Sequence, residues 1–162
     1  MIDALGLSLF TWQEVALRVA IAMVIGLAIG WERDCKNKPI DFRAYMIVCV
    51  TTCVIAIMSQ ELSNNFAQGQ DFFDLDLGKI ISGTLTGIGF LGAGAIIKRE
   101  DDRVVGTATG ASIWASGGLG LTIGFGAYGL TFIGFTAIAL TLLVGGYFMP
   151  KVNGHKEEGL GE

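Results

Sequence analysis

Three glycines in the middle of the chain have the spacing of a phosphate-binding turn. Gly87, Gly89 and Gly92 form a GxGxxG pattern, which in dinucleotide-binding proteins brings backbone amides against a pyrophosphate at the start of a helix. That chemistry requires a strand before the glycines and a soluble βαβ unit around them. Here the glycines lie inside an apolar run, residues 77–97. A turn there would leave backbone groups unpaired in lipid, so no nucleotide site is predicted.

Other side chains for catalysis or metal binding are sparse. The single histidine, His155, lies near the end of the chain, and Ser112 has neither a base nor the glycine that follows a nucleophile serine. Cys49 and Cys53 are four residues apart, which favours helix packing over a disulfide or metal site. We therefore predict a protein that is not an enzyme and has no cofactor, no bound metal and no nucleic-acid partner.

Composition indicates a membrane protein. The 162 residues are 52% hydrophobic and only 16% charged, against about 25% charged in a typical soluble domain. The charges also cluster between apolar runs, and a membrane helix needs roughly 20 apolar residues. We predict an all-α integral membrane protein with about five transmembrane helices and a disordered cytoplasmic tail, residues 150–162. The predicted spans are residues 12–31, 44–62, 77–97, 104–125 and 126–149.

Charge distribution predicts the orientation. Nine of the 11 Lys and Arg residues fall in the loops after spans one and three and in the tail, whereas the loop after span two carries Glu61, Asp71, Asp74 and Asp76. The positive-inside rule then places the N-terminus outside and the C-terminus in the cytoplasm. Without a basic segment before it, the first span is expected to remain as an anchor rather than be cleaved.

The third predicted span has a face of small residues. On a helical wheel Gly83, Gly87, Gly89 and Gly94 lie with Ser82, Thr86 and Ala93 on one broad side, and Phe90 projects among them as a packing wedge. Two hypotheses fit this face: close packing against another helix, or an unwound segment beside a substrate cavity. In the first span, Gly26 and Gly30 form a GxxxG surface that predicts close approach of another helix.

Several polar and aromatic residues within the predicted spans have either a structural or a functional interpretation. Thr109, Ser112 and Ser116 repeat along one side of span four, where hydroxyls line a polar path or bond to their own helix. Trp114 lies deep in that span, a position more typical of core filling than of ligand binding. Glu14 and Arg18 have the spacing of an ion pair, and Tyr45 is predicted to anchor span two at the membrane interface.

Charged residues also mark one end of the predicted bundle. Glu32 and Arg33 directly follow span one, Arg43 begins span two, and Lys98, Arg99 and Arg103 follow span three. The positive-inside rule alone explains them. Alternatively, Glu32 and Arg33 are partly buried as an ion pair that fixes the geometry of the junction.

Four blocks of sequence, in order, resemble the MgtC/SapB family of bacterial inner-membrane proteins. The resemblance covers residues 12–148, and its blocks are residues 26–33, Pro39 with Arg43, residues 87–94, and residues 106–120 with Gly106, Thr107, Trp114 and Gly120. It implies a five-span protein connected with growth under magnesium limitation and, in pathogens, with survival inside host cells. In the virulence branch it also implies regulation of the F-type ATP synthase.

The chain departs from the family pattern in places. Residues 41–45 read Asp-Phe-Arg-Ala-Tyr where Gly-Leu-Arg-Thr-His is usual, and Leu77 replaces the customary proline after Asp76. We expect a short, SapB-like member without the cytoplasmic C-terminal domain of the virulence branch.

Two functional hypotheses follow. In the first, the protein contacts itself, as a homo-oligomer such as a dimer, or another inner-membrane complex such as the F-type ATP synthase, within membrane lipid. In the second, it is a small transporter or channel subunit for a cation or small solute. The candidate residues for these roles are Glu32, Arg33, Arg43, Gly83, Gly87, Gly89, Phe90, Gly92, Gly94, Ser112, Trp114 and Ser116.

Overall fold

The described part of the chain folds into five helices and one short β-hairpin. The structure, a computed structural model, describes residues 7–36, 38, 40–68, 76–100 and 102–148. The predicted tail and most of the predicted acidic loop lie outside these residues. The all-helical prediction is confirmed, and the helices are α1 (Trp12–Cys35), α2 (Phe42–Gln68), α3 (Leu77–Gly94), α4 (Thr107–Gly124) and α5 (Tyr128–Phe148).

The start of α1 is fixed by a capping box. The Thr11 hydroxyl accepts from the Glu14 backbone N–H at 3.3 Å, and the Glu14 carboxylate accepts from the Thr11 backbone N–H at 2.9 Å, which satisfies donors that a helix start leaves unpaired. Arg18 instead donates to the carbonyl of Gly124 in α4 at 2.6 Å. The ion pair predicted between Glu14 and Arg18 is therefore replaced by a Glu14–Thr11 contact and an Arg18–Gly124 contact.

Helix α2 packs against both α1 and α4, which also contact each other, and pairs of glycines let both neighbours approach its backbone. A Cβ placed on Gly26 would lie 2.7 Å from Met46 Cα, and one on Gly30 would lie 2.7 Å from Phe42 Cα. Gly120 and Gly124 of α4 likewise meet the backbone of α2 closely enough to exclude a side chain. The close approach predicted from the GxxxG of α1 is thus confirmed, with α2 as its partner.

Helix α4 is the centre of the bundle. It packs against each of the other helices, and eleven of its 18 residues are buried. The backbones of α3 and α4 meet where Gly92 faces Gly110, and α5 is joined to α4 by a hydrogen bond of 2.8 Å between the hydroxyls of Thr122 and Thr131. Helices α3 and α5 run antiparallel to α4, whereas α2 runs parallel to α4. Each end of the bundle is therefore formed by a definite set of helix starts and helix ends.

The connection before α4 differs from the predicted one. A hairpin of two strands, β1 (Ile97–Lys98) and β2 (Val104–Val105), separates α3 from α4, whereas the sequence predicted that the helical spans reach residues 97 and 104. Gly106, with φ +92°, then lets the chain turn close to Ala95 and enter α4. The connection from α4 to α5 is a tight turn with Gly126 at φ +76°, and the predicted spans 104–125 and 126–149 likewise left no loop there.

Basic residues gather at one end of the bundle, here called the Arg33 end. The end of α1, the start of α2, the β-hairpin and the start of α4 all lie there, because Gly30 meets Phe42 and Gly92 meets Gly110 across antiparallel pairs. The opposite end, here called the Glu61 end, holds the start of α1, the later part of α2 and the α4–α5 turn. The loop after α1 and the hairpin after α3, two charged segments that the sequence assigned to one side, therefore lie at the same end of the bundle.

Candidate functional site

The small-residue face of α3 is open in the single chain. A Cβ added to Gly83, Gly87, Gly89 or Gly94 would meet no atom within 4 Å. Phe90 projects from the same side and is 81% exposed, more than any other large hydrophobic residue described. The face that the sequence singled out is thus a free surface, and Gly92 alone of these glycines is buried, against Gly110.

A comparison with α4 makes this exposure unusual. Glycine, serine and threonine make up about half of both α3 and α4. In α4 they let neighbouring helices approach closely, as small residues do in membrane bundles, and most of them are buried. In α3 the same composition leaves only Ile88 and Gly92 buried. Two helices of nearly the same chemistry therefore have opposite surroundings.

A charged cluster closes the Arg33 end. Arg33 is only 4% exposed; its Nε lies 3.0 Å from Glu32 Oε2, and the other carboxylate oxygen of Glu32 contacts Lys36 Nζ. Lys36 Nζ also donates to the carbonyl of Leu142 in α5 at 3.1 Å. The Arg33 Nε and Nη1 atoms have no well-directed hydrogen-bond acceptor within the described residues. Charge attraction to Glu32 therefore holds this guanidinium more than directed hydrogen bonds do.

Arg43, the third residue expected at this junction, contacts Asp41 instead. Its Nε donates to Asp41 Oδ2 at 2.6 Å and its backbone N–H donates to Asp41 Oδ1 at 2.9 Å. These hydrogen bonds hold the pKa of the Asp41 carboxyl below its ordinary value. The Arg43 side chain is 74% exposed, so the structure brings together Glu32 and Arg33 but leaves Arg43 in a local surface pair.

The hydroxyls of α4 face away from the open surface of α3. Ser116 Oγ donates to the Tyr45 carbonyl of α2 at 2.9 Å, and Ser112 Oγ donates to Ala108 O of its own helix at 2.7 Å. Both serines and Thr109 are buried. Trp114 is on another side of α4 and is 48% exposed, so its predicted role in filling the core is wrong. The residues proposed to line one path therefore lie on different faces.

Some residues of the site were missed or misplaced from sequence. Tyr45, expected at the interface, is fully buried in the core with Ile29 and Ile113. Glu61, assigned to an acidic loop, lies within α2 and is 5% exposed. Only the spacing of Glu61 from the apolar positions before it could have indicated a helical, inward-facing carboxylate. Across the described ranges, no three His, Cys, Asp or Glu side chains come together as metal ligands.

The fold defines a helical membrane protein. Among the residues that the structure describes, three helices are long and apolar enough to cross a bilayer, over Trp12–Cys35, Phe42–Asn65 and Tyr128–Gly145. Helices α3 and α4 are not among these three, and glycine, serine and threonine make up about half of each.

Within that class, the chain belongs to the MgtC family, which it matches over residues 19–149. It is 33% identical over 146 residues to Protein SapB of Bacillus subtilis, covering 90% of this chain and 61% of that protein. It is 33% identical over 133 residues to YhiD of Escherichia coli K12, whose name describes it as a proposed magnesium transporter. That match covers 81% of this chain and 59% of YhiD. It is 30% identical over 128 residues to Protein MgtC of Salmonella typhimurium, a match that covers 79% of this chain and 48% of that protein.

The chain spans about half to three fifths of the length of these curated relatives. No solved structure matches it significantly. Family membership, which the motifs of α1, α3 and α4 indicated, is thus established.

Proposed function

We propose that this chain is a multi-pass protein of the bacterial inner membrane in which all five helices cross the bilayer, with the Arg33 end in the cytoplasm. The membrane length of α1, α2 and α5 supports this arrangement, as does the gathering of basic residues at the Arg33 end. Helix α4 is surrounded by other helices, so its many glycine, serine and threonine residues do not oppose a position inside the membrane.

Within the membrane, the proposed role is support of growth under magnesium limitation and of ion homeostasis, and in a pathogen of survival inside host cells. The family and the description of YhiD support the link to magnesium. We propose that the protein is not an enzyme. It would act through helix contacts with a second copy or with another membrane complex, such as the F-type ATP synthase.

The observation that carries this proposal is the open small-residue face of α3. Close helix packing in lipid depends on small residues, since lipid tails are as apolar as leucine and supply no hydrophobic drive. In α4 such residues meet neighbouring helices, whereas Gly83, Gly87 and Gly94 of α3 meet nothing in the single chain. A helix from outside the chain would give α3 the environment that α4 already has.

A second copy fits this face because the face carries both a knob and a groove. Phe90 is the knob, and the glycines one and two turns before it, Gly87 and Gly83, leave the groove. A contact between two identical surfaces requires such self-complementarity. We therefore propose that α3 of one protomer packs on α3 of another, with each Phe90 beside the partner's glycine groove.

Substitution Gly87→Leu tests this contact. Because a side chain at Gly87 meets open space in the single chain, the variant should fold normally, with helix propensity gaining up to about 1 kcal/mol. Filling the groove should instead weaken self-association by about tenfold or more, since overpacking typically costs roughly 1–3 kcal/mol. Energy transfer between labelled protomers in liposomes at several protein-to-lipid ratios measures this, together with growth of a magnesium-limited strain.

The matched control is Gly145→Leu, because Gly145 lies in α5 and is equally open. It should leave association and growth unchanged. If Gly87→Leu associates and supports growth like the unmodified protein, the α3 face is not the working surface. If it keeps self-association but loses growth, the partner on this face is a different membrane complex.

The alternative is a transporter or channel subunit for a cation or small solute, which the description of YhiD favours. Ser112 and Ser116 do not face the open side of α3, so a path using that side would form between protomers. Proteoliposomes containing only this protein, loaded with a Mg²⁺-sensitive dye, separate the two functions. The contact role predicts influx no faster than in empty liposomes, whereas rapid influx that Gly87→Leu abolishes would establish transport along α3.

A further inference from the structure

A short segment before α1 is bound to a single carboxylate of α2. Residues 7–11, here called the strap, have no regular secondary structure. Glu61 Oε1 accepts from the backbone N–H groups of Leu9 at 2.8 Å and Phe10 at 3.0 Å, and its Oε2 accepts from the N–H and the hydroxyl of Ser8, both at 2.9 Å. Glu61 is nearly buried by this arrangement. Three consecutive backbone donors thus depend on one side chain.

The strap covers an arginine at the Glu61 end. The Phe10 ring lies 4.3 Å from Arg18 Cζ, a distance typical of a cation–π contact. The other side of the Arg18 guanidinium lies against Gly126, and its Nη1 donates to the Gly124 carbonyl. Gln60 donates to the same carbonyl at 2.8 Å. Arg18, which is partly exposed, therefore lies between the strap and the α4–α5 turn.

We propose that residues 7–11 form a lid over Arg18 and that Glu61 is its catch. The helices beneath are held by backbone ladders and close glycine contacts, whereas the strap amides of Ser8, Leu9 and Phe10 are held by the Glu61 carboxylate. The Ser8 hydroxyl also contacts Asn65 and the Phe10 side chain packs against the core, but one carboxylate is the acceptor for all three amides, so its loss loosens the strap without requiring any helix to unwind. Opening would expose the Arg18 cation, an anion-attracting group, at the Glu61 end of the bundle.

Hydrogen exchange of the full chain in lipid nanodiscs tests this lid. In Glu61→Gln the carboxylate is lost while the side chain keeps its size, so the strap amides should exchange about tenfold faster or more, as loss of charged hydrogen bonds predicts. Arg18 should also react faster with phenylglyoxal, located by peptide mass spectrometry. Amides of α2 and α4 should keep their protection. The control is Glu14→Gln, which alters the nearby capping box and should leave Arg18 labelling unchanged.

A second variant separates the lid from the catch. Phe10→Ala removes the cover over Arg18 but keeps the backbone bonds to Glu61, so Arg18 labelling should rise while the strap amides stay protected. Unchanged strap exchange in Glu61→Gln would overturn the proposal. Faster exchange extending equally through α2 and α4 would also overturn it, because Glu61 would then hold the bundle rather than a lid.

Discussion

Substitution Gly26→Leu is expected to destabilise the bundle by roughly 3 kcal/mol or more, at the upper end of what overpacking costs. A Cβ at Gly26 would lie 2.7 Å from Met46 Cα and 3.0 Å from the Tyr45 carbonyl, and these are backbone atoms that cannot rotate away. The gain in helix propensity, about 1 kcal/mol, is too small to offset this clash. Helices α1 and α2 would have to separate along their whole contact.

Reversible unfolding in mixed detergent micelles, followed by circular dichroism, measures the effect. The informative comparison is Gly87→Leu, which has the same change in composition and propensity but meets open space. Stability should fall for Gly26→Leu and stay equal or rise slightly for Gly87→Leu. Equal stability of the two variants would mean that the α1–α2 contact is looser than the structure shows.

Replacement of Arg33 by methionine is the second large effect. It removes the cation from beside Glu32, whose carboxylate oxygens are buried, and breaking a buried ion pair typically costs about 3–5 kcal/mol. Because Lys36 still contacts Glu32, we expect a loss near the lower end of that range. The double variant Glu32→Gln with Arg33→Met should recover part of it, since no unpaired charge then remains buried.

Two neighbouring cations provide controls in the same unfolding measurement. Lys36→Met should cost less than Arg33→Met, because the Lys36 side chain is one-third exposed. Arg43→Met should change stability little, since Arg43 pairs with Asp41 at the surface. A loss for Arg43→Met as large as that for Arg33→Met would contradict the separation of these residues into a buried cluster and a surface pair.

The sequence by itself determined the class of protein and the position of its helices. Apolar runs bounded by charges predict helices wherever they occur, because a helix satisfies its own backbone without help from the rest of the chain. The GxxxG of Gly26 and Gly30 predicted a close helix contact because glycines at this spacing leave a groove on the helix surface. That groove forms regardless of which helix packs into it. Family motifs in α1, α3 and α4 indicated the MgtC family.

Only the tertiary structure decided which surfaces meet. Helices α3 and α4 have nearly the same small-residue content, yet α4 is enclosed and α3 is open. Tyr45 and Glu61 carry groups typical of an interface or loop, yet both are buried. The glycines at 87 and 89, which first suggested a nucleotide turn, lie on an open helix face. Burial depends on partners distant in sequence, and local composition does not encode which partners those are.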